Sequence, residues 1–133
     1  MALQFSMTVR NARLDVIEAT IAASPTMTIR TGVKPADCAA ANSGTVLATI
    51  AMPSDWMAVA ANASKGMLGS WQDNAADAAG AAGHFRIHQG ATCHVQGSVT
   101  ATGGGGDMTV DNVNFSVGQQ FAVTAFTINE PNG

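Results

Sequence analysis

The chain has 133 residues, enough for one domain with one modest core. Apolar residues are 47% of it, which excludes a disordered chain, although aromatics are only 5% and tyrosine is absent. Charged residues are 11%, the net charge is −3, and no basic run offers the phosphate-neutralising patch that nucleic-acid binding requires.

Much of the apolar content is alanine, so the core leans on Val, Ile, Leu, Met and Phe. Each such side chain contributes about 1.5–3 kcal/mol when fully buried. A lone copy is therefore expected to be marginally stable, with neighbours supplying further burial. No run of about 18 apolar residues suggests a membrane span, and Met1 to Arg10 lack the pattern of a secretory signal. Cys38 and Cys93 do not make a disulfide framework. They read as two small apolar residues, reduced at synthesis, with one bridge closing a long loop as the alternative.

Thr8 to Ala23 contains no Gly or Pro and predicts a helix. Leu14, Ile17 and Ile21 form its apolar stripe, widened by Phe5, Val9 and Val16. Arg10, Asn11, Arg13, Asp15 and Glu18 form the polar side, Ser6 or Thr8 can cap the start, and Pro25 ends it. Such a helix either lies on its own sheet or docks as an arm on a neighbour. The docking alternative makes Phe5, Val9, Arg10, Arg13, Leu14 and Ile17 the interface candidates.

After Pro25 the period becomes two. Thr26 to Arg30 predicts a strand with one wet face. Thr31 to Ser43 reads as a loop, Thr45 to Met52 as a strand, and Pro53 to Met57 as a turn or helical start with Trp56 anchoring it. Gly66 to Gln72 predicts a strand centred on Leu68 and Trp71, and Asn74 to Gly83 a loop. His84 to His88 and Thr92 to Val99 predict a hairpin. The run Gly103 to Gly106 breaks the chain before strands at Met108 to Val113 and Gln119 to Ile128, and Glu130 to Gly133 reads as a fraying tail. The expected fold is mainly β: an antiparallel β-sandwich or small jelly-roll-like barrel with one N-terminal α-helix. It is a single domain, 1–133, with residues 1–24 as a helical arm and 25–130 as the sandwich.

A three-residue turn at Gln89, Gly90 and Ala91 would set His84, Arg86, His88 and His94 on one face, with Cys93 on the other. His84, His88 and His94 are then metal-ligand candidates, His94 being roughly 7–8 Å from each of the others. The fixed charge of Arg86 in their midst opposes a dication, so the reading is a wet polar face with no metal and no cofactor. Adjacent Cys93 and His94 point to opposite faces of a strand, so they do not form a nucleophile–base pair. Asp107 and Asp111 read as a solvated strand edge, with a weak calcium site as the alternative. The glycine run precedes a strand-like segment and no Lys-Ser or Lys-Thr follows it, which argues against a phosphate loop.

The opening MALQFSMTVRNARLDVIE, the corner PSDWM at Pro53–Met57 and GHFRIH at Gly83–His88 resemble a family of short virion structural proteins of tailed phages and prophages. TCHVQGSVTATGGGGDMTVDN, Thr92 to Asn112, and QQFAVTAFT, Gln119 to Thr127, extend the resemblance over nearly the whole chain. It implies a virion setting, after synthesis in the bacterial cytoplasm, and brings no catalytic residues. The expected role is non-enzymatic: capsid decoration or cement, in a symmetric homo-oligomer contacting major capsid subunits. The alternatives are a neck, collar or tail component contacting neck or tail subunits, or a carbohydrate-binding module touching the host through Trp56 and Trp71.

Overall fold

Alternation of period two builds the centre of the molecule. In the computed structural model, which describes residues 3–131, β1 (Thr26–Thr31) buries Met27 and Ile29 on one face. It is flanked by β2 (Val46–Ala51) and β5 (Gly80–Gln89); β6 (Thr92–Ala101) and β7 (Met108–Val110) complete the order β2–β1–β5–β6–β7. A short β8 (Asn114–Phe115) pairs with the start of β5. Two small sheets close one side, β3 (Ser64–Gly66) with β10 (Thr127–Asn129) and β4 (Trp71–Asp73) with β9 (Phe121–Val123). The whole is a mainly β, curled half-barrel with one helix, α1 (Met7–Ile21). Of the expected tail, Asn132 and Gly133 lie outside the described residues, as do Met1 and Ala2 of the expected arm.

The core is aromatic where the sheets meet. Trp56 and Trp71 are fully buried with ring centroids 6.0 Å apart, and Phe126 stands 5.3 Å from Trp71 and 5.7 Å from Phe85. Each indole N–H is satisfied inside, by the carbonyls of Ala22 and Leu68, both at 3.1 Å. Buried indoles keep such a partner because an unpaired N–H is costly away from water.

Several expected elements change once these aromatics turn inward. The segment Gly66 to Gln72 is divided between β3 and β4, with Leu68 exposed between them. Gln119 to Ile128 is likewise divided into β9 and β10, because Phe126 leaves the strand path to pack on Trp71. Pro53 to Met57 is a turn and starts no helix. Gly80 to Gly83, expected in a loop, extends β5, and Gly83 passes so close to the Gly32 backbone that a Cβ would strike its carbonyl.

Within the mainly antiparallel sheet one pair is parallel: β6 and β7, Val99 opposite Met108 and Ala101 opposite Val110. Parallel neighbours usually need a crossover of about a dozen residues. Here residues 102–107 suffice because the glycine run winds around Thr100. Gly103 and Gly105 adopt φ of 88° and 77°, and a Cβ on Gly104 or Gly106 would stand 2.7 or 2.8 Å from Thr100. The Gly106 N–H donates to Thr100 Oγ1 at 3.0 Å. The run is a tight winding with a steric reason for every glycine.

Candidate functional site

The hairpin that carries the histidines takes a different register from the expected one. Gly90 adopts φ of 59°, and the turn contains two residues, Gly90 and Ala91. Gln89 faces Thr92 and His88 faces Cys93; then a bulge at His94 restores the alternation, so that Ile87 faces Val95 and Arg86 faces Gln96. Phe85 faces Gly97, where a Cβ would stand 2.6 Å from the Phe85 ring. The core thus selects this register: Ile87 needs an apolar partner and the Phe85 ring needs an empty place. The bulge puts Cys93 in a cleft with Arg86 and His88, and sends His94 to a groove on the other face. The three histidines therefore do not converge. Among the described residues no group of three or more His, Cys, Asp or Glu is placed to hold a metal ion. Asp107 instead accepts the Ser98 N–H and hydroxyl at 2.9 and 3.0 Å, which holds its carboxyl below the usual range.

Nor is this strand face wet. His84 and Arg86 are buried and His88 is nearly so, because the segment between β1 and β2 folds over them. Arg86, 1% exposed, donates to the carbonyls of Asp37, Cys38 and Ala40 at 3.2, 3.0 and 3.1 Å and to Asn42 Oδ1 at 2.7 Å. His84 Nδ1 bonds the Gly32 carbonyl at 2.9 Å, and Gln96 donates to the Pro35 carbonyl at 2.8 Å. A guanidinium suits this task because its fork reaches several carbonyls at once. Burial first, then the charges of Arg86, Arg30 and His94, lower the His88 pKa. Cys38 and Cys93 meet in the same cleft with their Sγ atoms 3.1 Å apart, both as free thiols.

The helix is no detached arm. Ser6 caps it by accepting the Val9 N–H at 3.3 Å, and positive φ at Ala22 and Ser24 ends it before Pro25. Leu14 and Ile21 are buried and Ile17 packs against the core. The polar stripe expected to face water is a second docking face. Asn11, Asp15 and Glu18 accept the backbone N–H groups of Ala63, Ala60 and Met57 at 2.9, 2.9 and 3.3 Å. Lys65, 2% exposed, reaches Asp15 at 2.8 Å and Glu18 at 2.9 Å. Arg10 donates to the Glu130 carbonyl and Arg13 pairs with its carboxylate at 2.8 Å. Of the interface candidates, Leu14, Ile17, Arg10 and Arg13 thus make contacts within the chain, whereas Phe5 and Val9 are 38% and 42% exposed. Phe5 lies under the Arg13 guanidinium at 5.1 Å.

Apolar side chains remain outward on this side, next to the half-exposed Arg13. Met7, Val9 and Val16 are exposed along α1, Val16 by 58%. Beside them a groove of about 610 Å³ runs between α1 and β6, lined by Val16, Ile17, Val95, Phe126 and Ile128 among others. Among the described residues, no strand pairs with the outer edge of β6 at its Val95–Gln96 border with the groove. β5 pairs with β6 along its length, but β7 covers the opposite edge only at Val99–Ala101. The edge of β2 is blunted at Thr49, where Asp73 and Asp77 bond the N–H and hydroxyl at 2.9 and 2.7 Å, as Asp107 blunts β6 at Ser98. Trp56 and Trp71 offer no platform for a sugar, since both are at 0% exposure. Comparison with family models, with curated proteins and with solved structures finds no match to this chain.

Proposed function

We propose that the chain is a subunit of a tailed-phage particle that works by protein–protein contact, most simply as a capsid decoration or cement protein. The observation that carries this reading is the pair of exposed valines, Val9 and Val16, with the apolar-lined groove and the part of the β6 edge that β7 leaves uncovered beside them. A shell subunit supplies what that face lacks: apolar side chains for Val9 and Val16, and an extended segment for the unpaired edge. Low charge suits many copies on a symmetric shell, where individually weak contacts multiply. The sequence resemblance points to the same setting.

The test is occupancy on particles. Val9→Asp with Val16→Asp should keep the Tm within a few degrees, since both side chains face outward, while occupancy on particles falls at least about tenfold. Wild-type occupancy by this double variant would refute the assignment of the face. Imaging of intact particles separates the two virion roles. Copies distributed over the shell support decoration, whereas a single ring at the vertex replaces it with the neck or tail reading.

A further inference from the structure

We propose that Cys38 and Cys93 close into an intramolecular disulfide that staples the segment between β1 and β2 to β6. The two Sγ atoms are 3.1 Å apart. A disulfide bond is about 2.05 Å long, so closure needs a relative movement of roughly 1 Å. Arg86 holds the Cys38 carbonyl at 3.0 Å and those of Asp37 and Ala40 beside it, so the thiol stands on a fixed backbone. Cys93 faces His88 just before the bulge, which turns its side chain toward the same cleft. The cleft holds about 330 Å³ and both cysteines line it and are partly exposed, which gives a reagent access.

The oxidant is a small-molecule disulfide such as oxidised glutathione. Burial, and then the neighbouring Cys93 thiol, push the Cys38 pKa up to about 11, so Cys38 enters second and the thiolate form of Cys93 makes the first attack. That thiolate attacks one sulfur of the reagent, whose S–S bond breaks and releases one glutathione thiolate. Cys38 then gives its proton to solvent and attacks Cys93 Sγ, expelling the second glutathione thiolate as the protein S–S bond forms. Two protein thiols are oxidised, one reagent disulfide is reduced, and the two released thiolates take up two protons. The closure is a property of the purified chain and does not rest on the virion reading.

The purified full-length chain is incubated with oxidised glutathione, then followed by intact mass, peptide mapping and thermal unfolding. The expected product has lost two hydrogens and yields a peptide linking Cys38 to Cys93. The bridge spans a separation of 55 residues, so the Tm should rise by roughly 10 °C and fall back with dithiothreitol. Cys38→Ser should retain glutathione on Cys93 and show no such rise. A lasting glutathione adduct on the wild type, a disulfide-linked dimer, or an internal bridge that leaves the Tm unchanged would overturn the proposal.

Discussion

Lys65 is a charge placed where solvent hardly reaches, 2% exposed, between two carboxylates of α1. Burial alone would lower its pKa, but Asp15 and Glu18 outweigh burial and raise it. Asp15 is lowered by the Lys65 ammonium and the Ala60 N–H. The stabilisation from Asp15 is full above its ordinary value of 3.8 and is lost as pH falls through the lower folded value. That from Lys65 is full below 10.5 and is lost as pH rises through the higher folded value. Lys65→Met should cost about 2 kcal/mol in urea unfolding, less than a fully buried pair because the partly exposed carboxylates regain water. Adding Asp15→Asn to that variant should cost less than Asp15→Asn alone, and strict additivity would mean the pair is uncoupled. His88, like Asp15, makes stability fall on acidification, but through burial of its ring. Its folded pKa lies below 6.5, so the unfolded chain takes up the proton first and stability falls as pH drops from 6.5 toward the folded value. His88→Gln should flatten the change in urea midpoint between about pH 7.5 and about pH 5.5, and an unchanged slope would assign the effect to another group.

At the scale of elements, the sequence was legible wherever one side chain pattern had one meaning. Thr26 to Arg30, Thr45 to Met52 and the helix from Thr8 were placed within two residues of β1, β2 and α1, because β-branched alternation and a Pro-bounded helix are local signals. The hairpin was placed but its register was not, because turn length is ambiguous locally; only the packing of Phe85 against Gly97 and Ile87 against Val95 decides it. The loop over β5 illustrates the same limit. Its residues Asp37, Cys38 and Ala40 are ordered through main-chain carbonyls that the sequence cannot distinguish from any others. Arg86→Lys should leave the sheet folded and speed hydrogen exchange across residues 33–44 at least about tenfold, since an ammonium cannot span four acceptors. Protection equal to wild type would show that the loop holds itself.

For the whole molecule, the question is whether α1 belongs to the fold or only visits it. It contributes Leu14 and Ile21 to the interior, the carboxylates that neutralise Lys65, and acceptors for the N–H groups of Met57, Ala60 and Ala63. Removing residues 1–23 should therefore abolish cooperative thermal unfolding of the remainder, through exposed apolar surface and an ammonium that loses both carboxylates and keeps only the Ala58 carbonyl. A truncated chain that still melts in one sharp transition would restore the detached arm. The sequence by itself determined the β-rich class, the single helix, the burial of Trp56 and the helix stop at Pro25, because composition, period and proline geometry act over a few residues. Only the tertiary structure decided the hairpin register, the parallel β6–β7 pair, the covered polar face and the inward turn of Asn11, Asp15 and Glu18. Those follow from which distant backbone groups come within hydrogen-bond reach, and that is settled when the layers pack.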